Sequence, residues 1–280
     1  MRSSLSLFLS LATLFLCVLC IGAQDLDRLR ADLASGNSEL QRNALFEIKK
    51  LRTPQASRLA VSALTDKDEV VRATAASAVI YLPASEAVTI LLPLLNDKAE
   101  FVRQETAFAL GDLGDPSAVN ALLGAIQKGP DAVRNASVVA LGKIGDPAAI
   151  EPLVTLLKRK PNDANEFLKR SAARSVGQIA VFMRTGQKVN FTPQNYLPTK
   201  LKDTQISAPT SALFKNAVPV LIGILRNTKE ADDTRREAAF ALGTIGDTTA
   251  IPALQANLNS SDKALAETCK EALIRLGVSQ

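Results

Sequence analysis

Apolar residues fall at helical spacing along almost the whole chain, in stretches of two alternating kinds. In the first kind, Ala118, Val119, Leu122, Leu123 and Ile126, and again Ala149, Ile150, Leu153, Leu156 and Leu157, recur at intervals of three and four. That spacing puts them on one face of a helix. The second kind carries Val71, Ala75, Val79 and Leu82, or Val102, Thr106, Leu110 and Leu113, on one face. Asp115-Pro116 and Asp146-Pro147 precede stretches of the first kind. An Asp side chain caps orphan N–H groups, and Pro suits the first turn because it lacks one. Gly145 and Gly246 are placed to end stretches of the second kind. The pattern predicts a succession of helix pairs.

The pairs repeat. Ala109-Leu110-Gly111-Asp112-Leu113-Gly114-Asp115-Pro116 returns 31 residues later as Ala140-Leu141-Gly142-Lys143-Ile144-Gly145-Asp146-Pro147. The same step backwards reaches Ala78 to Leu82 and Glu47 to Leu51. Forward, Ser175 to Ile179 follows at 35, Ala241 to Asp247 at 66 more, and Ala272 to Gly277 at a further 31. About seven units and one insertion therefore fill residues 24 to 280. No single pair buries its apolar face alone, so the units must stack. The expected fold is all-α, a right-handed α-solenoid of about seven helix pairs. Residues 24–183 hold units one to five, 184–211 an irregular insertion, and 212–280 units six and seven.

The motif Val-Arg-x-x-Ala-x-x-Ala-Leu-Gly-x-Ile-Gly-Asp-Pro resembles HEAT-like (armadillo-type) repeats, including those found in phycobilisome lyases. The resemblance covers residues 25 to 277, is best in units three, four and six, and fades at both ends, as capping repeats require. It implies a concave face lined by the second helices, where a protein or peptide partner docks.

Composition and targeting narrow the functions. The chain is 47% hydrophobic but only 4% aromatic, with no Trp, which favours closely packed helices over sheets. It has no His, which removes imidazole acid–base chemistry and His metal ligands. Residues 1–23 read as a signal peptide: Arg2, an apolar run from Leu5 to Ile21, then cleavage after Ala23. An uncleaved membrane anchor is the alternative, because the run is nearly long enough to span. Cys17 and Cys20 follow Leu rather than the small residue a lipobox needs. The expected location is periplasmic or secreted. The mature chain keeps Cys269 alone, so it cannot form an internal disulfide. Its 32 basic and 28 acidic residues leave a mild +4.

Three features are candidates for binding. One column of the second helices reads Phe46, Ser77, Phe108, Val139, Arg174, Phe240 and Glu271; one turn on stand Lys50, Tyr81, Asp112, Lys143, Gln178, Thr244 and Arg275. Recurrent Phe at a partly exposed position is either a set of partner anchors or inter-repeat packing. A second column runs Gln41, Arg72, Arg103, Arg134, Lys169, Thr234 (with Arg235 beside it) and Ala266. It is either a ladder of Asp–Arg pairs with the acidic turns or a cationic stripe for an acidic ligand. The third feature is the insertion, basic through Arg184, Lys188, Lys200 and Lys202, and carrying Phe191, Tyr196 and Leu197. It is a partner-contacting loop or an excursion without a role. The partner-binding residues expected from this reading are Phe46, Tyr81, Phe108, Lys143, Arg174 and Phe240, with Phe191 and Tyr196.

These features point to an exported, non-enzymatic scaffold that binds a protein or peptide, without cofactor or metal. The resemblance offers a second reading, a pigment or cofactor lyase-chaperone, against which export argues. A nucleic-acid role is opposed by the signal segment and the modest charge. HEAT-like di-iron hydroxylases would require His-Glu metal motifs, and there is no His to supply them. A membrane becomes a partner only if the signal segment is retained.

Overall fold

The computed structural model describes residues 25–187 and 212–278. The expected signal segment, Phe191 and Tyr196 lie outside them. The described residues are helical with no strand among them. Alternate helices are first and second members of pairs. The first members are α1 (25–34), α3 (Pro54–Leu59), α5 (Ala84–Leu91), α7 (Val119–Lys128), α9 (Ile150–Leu157), α11 (Ala217–Arg226) and α13 (Ile251–Gln255). The second are α2 (Ser38–Leu51), α4 (Glu69–Ala78), α6 (Glu100–Leu113), α8 (Asp131–Ile144), α10 (Asp163–Thr185), α12 (Asp232–Ile245) and α14 (Lys263–Arg275). The all-α repeat fold expected from the 31-residue period is present.

Local chemistry sets the ends. Asp115, Asp146 and Asp247 accept hydrogen bonds from the N–H of Ser117, Ala148 and Thr249 at 2.9, 2.8 and 2.9 Å. Each opens a short 3-10 turn that leads into the following helix. Gly145 (φ 83°) and Gly246 (φ 84°) close α8 and α12 in the left-handed conformation that a Cβ would oppose. After Ile179 the chain has Ala180 where unit four has Gly145. Without that stop, α10 runs on to Thr185 and ends only at Gly186. Arg184, placed in the insertion by the sequence pattern, is therefore a helical residue.

The chain forms two compact units, Met1–Thr89 and Ile90–Gln280. Within the first, α2 packs on α4 and α3, and its core gathers Leu45, Ile48, Val71, Ala75 and Val79. Within the second, the second helices stack in order, α6 on α8, α8 on α10, α10 on α12 and α12 on α14. Beneath them α9 packs on α11 and α11 on α13. Leu110, Leu141, Leu153, Val176, Leu221, Leu242 and Leu254 fill the space between the two layers.

Candidate functional site on the second-helix face

In the second unit the spacing of the second helices rests on a glycine column. A Cβ on Gly111 would lie 2.6 Å from the Cα of Ala140, and one on Gly243 would lie 2.7 Å from the Cα of Ala272. No side chain fits there, so the helices touch backbone to backbone. This close approach fixes which residues of neighbouring helices meet on the outer face.

The first candidate column is mostly half-buried, as expected of a face that both packs and presents. Phe46 is 53% exposed, and Phe108 and Tyr81 are half-buried. Phe240 departs from the expectation. It is 4% exposed, and a Cβ on Gly177 would meet its ring. The glycine leaves space over α10, and the Phe240 ring fills it, so the ring is core rather than surface. Phe46 and Phe240 therefore have opposite environments at one sequence position.

The charged candidates are engaged within the chain. Lys143 Nζ donates to Asp112 Oδ1 at 2.6 Å, joining residues one repeat apart in one column. Arg174 forms an ion pair with buried Glu237. Around it, Arg170 Nη1 meets Asp233 Oδ2 at 2.8 Å, and Lys169 pairs with Glu230 in full burial. These partners stand 61 to 63 residues apart in sequence. The insertion hides them from a search in steps of 31; the acidic residues in α12 and just before it are the available signal.

The arginine column has a third role that neither expectation described. Arg72 Nη1 donates to the carbonyls of Asp66 and Lys67 at 2.8 and 3.1 Å. Arg103 does the same to Asp97 and Lys98 at 2.7 and 3.1 Å. Gln41, Lys169 and Arg235 reach the carbonyls of Leu33, Arg159 and Leu225 at 3.0, 3.0 and 3.2 Å. Each donor satisfies carbonyls left open near the end of its own pair's first helix, where a cation is also favoured by the helix dipole. Arg134 also meets a carboxylate of its own turn, Asp131 at 2.9 Å. In unit six the donor is Arg235, not Thr234.

Among the described residues no group of Cys, Asp and Glu is arranged to hold a metal, and no helix is long and apolar enough to cross a membrane. A profile of HEAT repeats matches residues 26–107 and 88–177, more than half of the chain. The chain belongs to the HEAT-repeat family. A profile of the phycobilisome-lyase HEAT-like repeat also matches residues 234–260 of this HEAT-repeat protein. Deoxyhypusine hydroxylase from Bos taurus is 39% identical over 62 residues, 22% of this chain and 20% of that enzyme. The crystal structure of an engineered protein aligns with a TM-score of 0.55 at 22% identity, covering 91% of this chain and 69% of the other. That likeness shows the all-α repeat fold. The complex of CpcE and CpcF of phycocyanin lyase from a Nostoc species gives a TM-score of 0.49 at 22% identity, covering 90% of this chain and 94% of the other.

Proposed function

We propose that this HEAT-repeat protein is an exported, non-enzymatic scaffold that binds a protein or peptide through its second-helix face. The observation that carries the reading is Phe46, a large ring 53% exposed on α2, where Leu40 and Leu51 are exposed as well while Leu45 and Ile48 are buried. Aromatic side chains of this kind dominate binding hot spots. Lys143 and Arg174 have acidic partners within the chain, which favours an apolar rather than a purely ionic contact. The matched hydroxylase and lyase relatives do not lend their activities here. The hydroxylase match spans a fifth of that enzyme, and the chain has no His for the metal motifs such a resemblance would bring. Export rests on the pattern of residues 1–23.

The test is capture of proteins from the native envelope fraction by the full-length mature chain and by its Phe46→Ala/Phe108→Ala variant. A partner held by the first and lost by the second, with helicity unchanged by circular dichroism, is the expected result. Equal capture by both would remove the second-helix aromatics from the site. Added bilin would produce a visible spectral change only if the lyase reading were correct.

A further inference from the structure

The C-terminal ends of α10, α12 and α14 bring two guanidinium groups together, one of which has no hydrogen-bond partner among the described residues. Ala272 of α14 sits against Gly243 of α12, and Arg275 holds relative to Thr244 the repeat position from which Lys143 reaches Asp112. From the other side Arg184, in the last turn of α10, donates to the carbonyl of that same Thr244. Arg275 Nη1 is shielded from solvent and has no hydrogen-bond partner. Burial lowers the affinity of both guanidinium groups for their protons, and the charge of Arg184 further disfavours that of Arg275. Glu271, one turn before Arg275, favours the charge of Arg275 through space but forms no hydrogen bond with it. A sequestered donor on a cation beside a second cation is costly unless an anion meets it.

We propose that Arg184 and Arg275 form a site for an oxyanion, a carboxylate or phosphate group, held by Arg275 Nη1 and the charge of Arg184. Guanidinium groups suit such oxygens through their planar fork of donors. The site stands independently of the partner-binding reading above, because inorganic phosphate is itself a sufficient probe.

The experiment follows thermal unfolding of the full mature chain by circular dichroism in sodium phosphate, sodium succinate and sodium chloride at matched ionic strength. Phosphate also stabilises proteins by exclusion from their surfaces, so the variant Arg275→Gln supplies the baseline. Saturating phosphate is expected to raise the midpoint of the wild type by about 2–4 °C more than that of the variant. A matching gain in succinate extends the site to carboxylates; a gain in phosphate alone confines it to phosphoryl groups. In chloride, Arg275→Gln is expected to melt no lower than the wild type, since it removes a partly buried charge and no hydrogen bond to the described residues. Equal shifts in wild type and variant would overturn the proposal. So would a large loss of stability by Arg275→Gln in chloride, which would mean the guanidinium is already satisfied within the protein.

Discussion

At the scale of single residues, position in the repeat does not decide environment; the facing residue does. Phe46 and Phe240 share a column, yet only Phe240 faces a glycine, Gly177, and lies in the core. Phe240→Ala should therefore cost about 3–5 kcal/mol. Phe46→Ala should stay within about 0.5 kcal/mol, both read from urea unfolding. The glycines give a second contrast. Gly124 has open space around its missing Cβ, so Gly124→Ala should stabilise α7 by up to about 1 kcal/mol through helix propensity alone. Gly111→Ala gains the same propensity but drives a methyl into the backbone of Ala140. Overpacking of about 1–3 kcal/mol wins there, and the variant should be less stable. Cys269 carries a pH signature. Burial pushes its thiol from 9.0 up to about 12. A raised folded value means stability is full below pH 9 and falls as pH climbs towards 12, because only the unfolded thiol ionises in that window. The loss should be roughly 1 kcal/mol per pH unit. Cys269→Ala should unfold without this increment when the two proteins are compared between pH 8 and 11; an identical pH profile for both would refute it.

At the scale of elements, most of the fold was legible and part of the site was not. The period of 31, the Asp-Pro starts and the Gly145 and Gly246 stops follow from chemistry that acts within a few residues. Apolar spacing reveals it directly. The end of α10 was missed because Ala180 is an absent stop signal, and an absence is harder to read than a glycine. The arginine column is legible in the sequence, but its carbonyl partners are not. Carbonyl acceptors have no sequence signature, whereas Asp66, Asp97 and Asp131 do. The consequence is testable on α4: Arg72→Met retains bulk but opens the carbonyls of Asp66 and Lys67. A cost of about 1–3 kcal/mol is expected for leaving such acceptors unmade. Asp66→Asn, which keeps the carbonyl, should cost much less. The pairs joining α10 to α12 escaped detection for another reason: their sequence separation is set by the insertion, not by the repeat.

At the scale of the molecule, stability in a repeat array is the sum of local units and their nearest-neighbour interfaces. Glu230→Gln leaves the buried ammonium of Lys169 without its carboxylate, at a cost of about 3–5 kcal/mol. Hydrogen exchange should then quicken in α10 and α12 while α2 keeps its protection; a uniform change throughout the chain would contradict this. Replacing both partners, Lys169→Met with Glu230→Leu, should recover much of the loss. The same interface bears on how this chain tolerates change. Lys169 with Glu230, Arg170 with Asp233 and Arg174 with Glu237 clamp α10 directly to α12 and the turn that precedes it. Register at this step is thus encoded in side chains on both banks, not in the length of chain between them. The alignment of α10 with α12 is therefore expected to survive when the chain between them is lengthened, swapped or grafted.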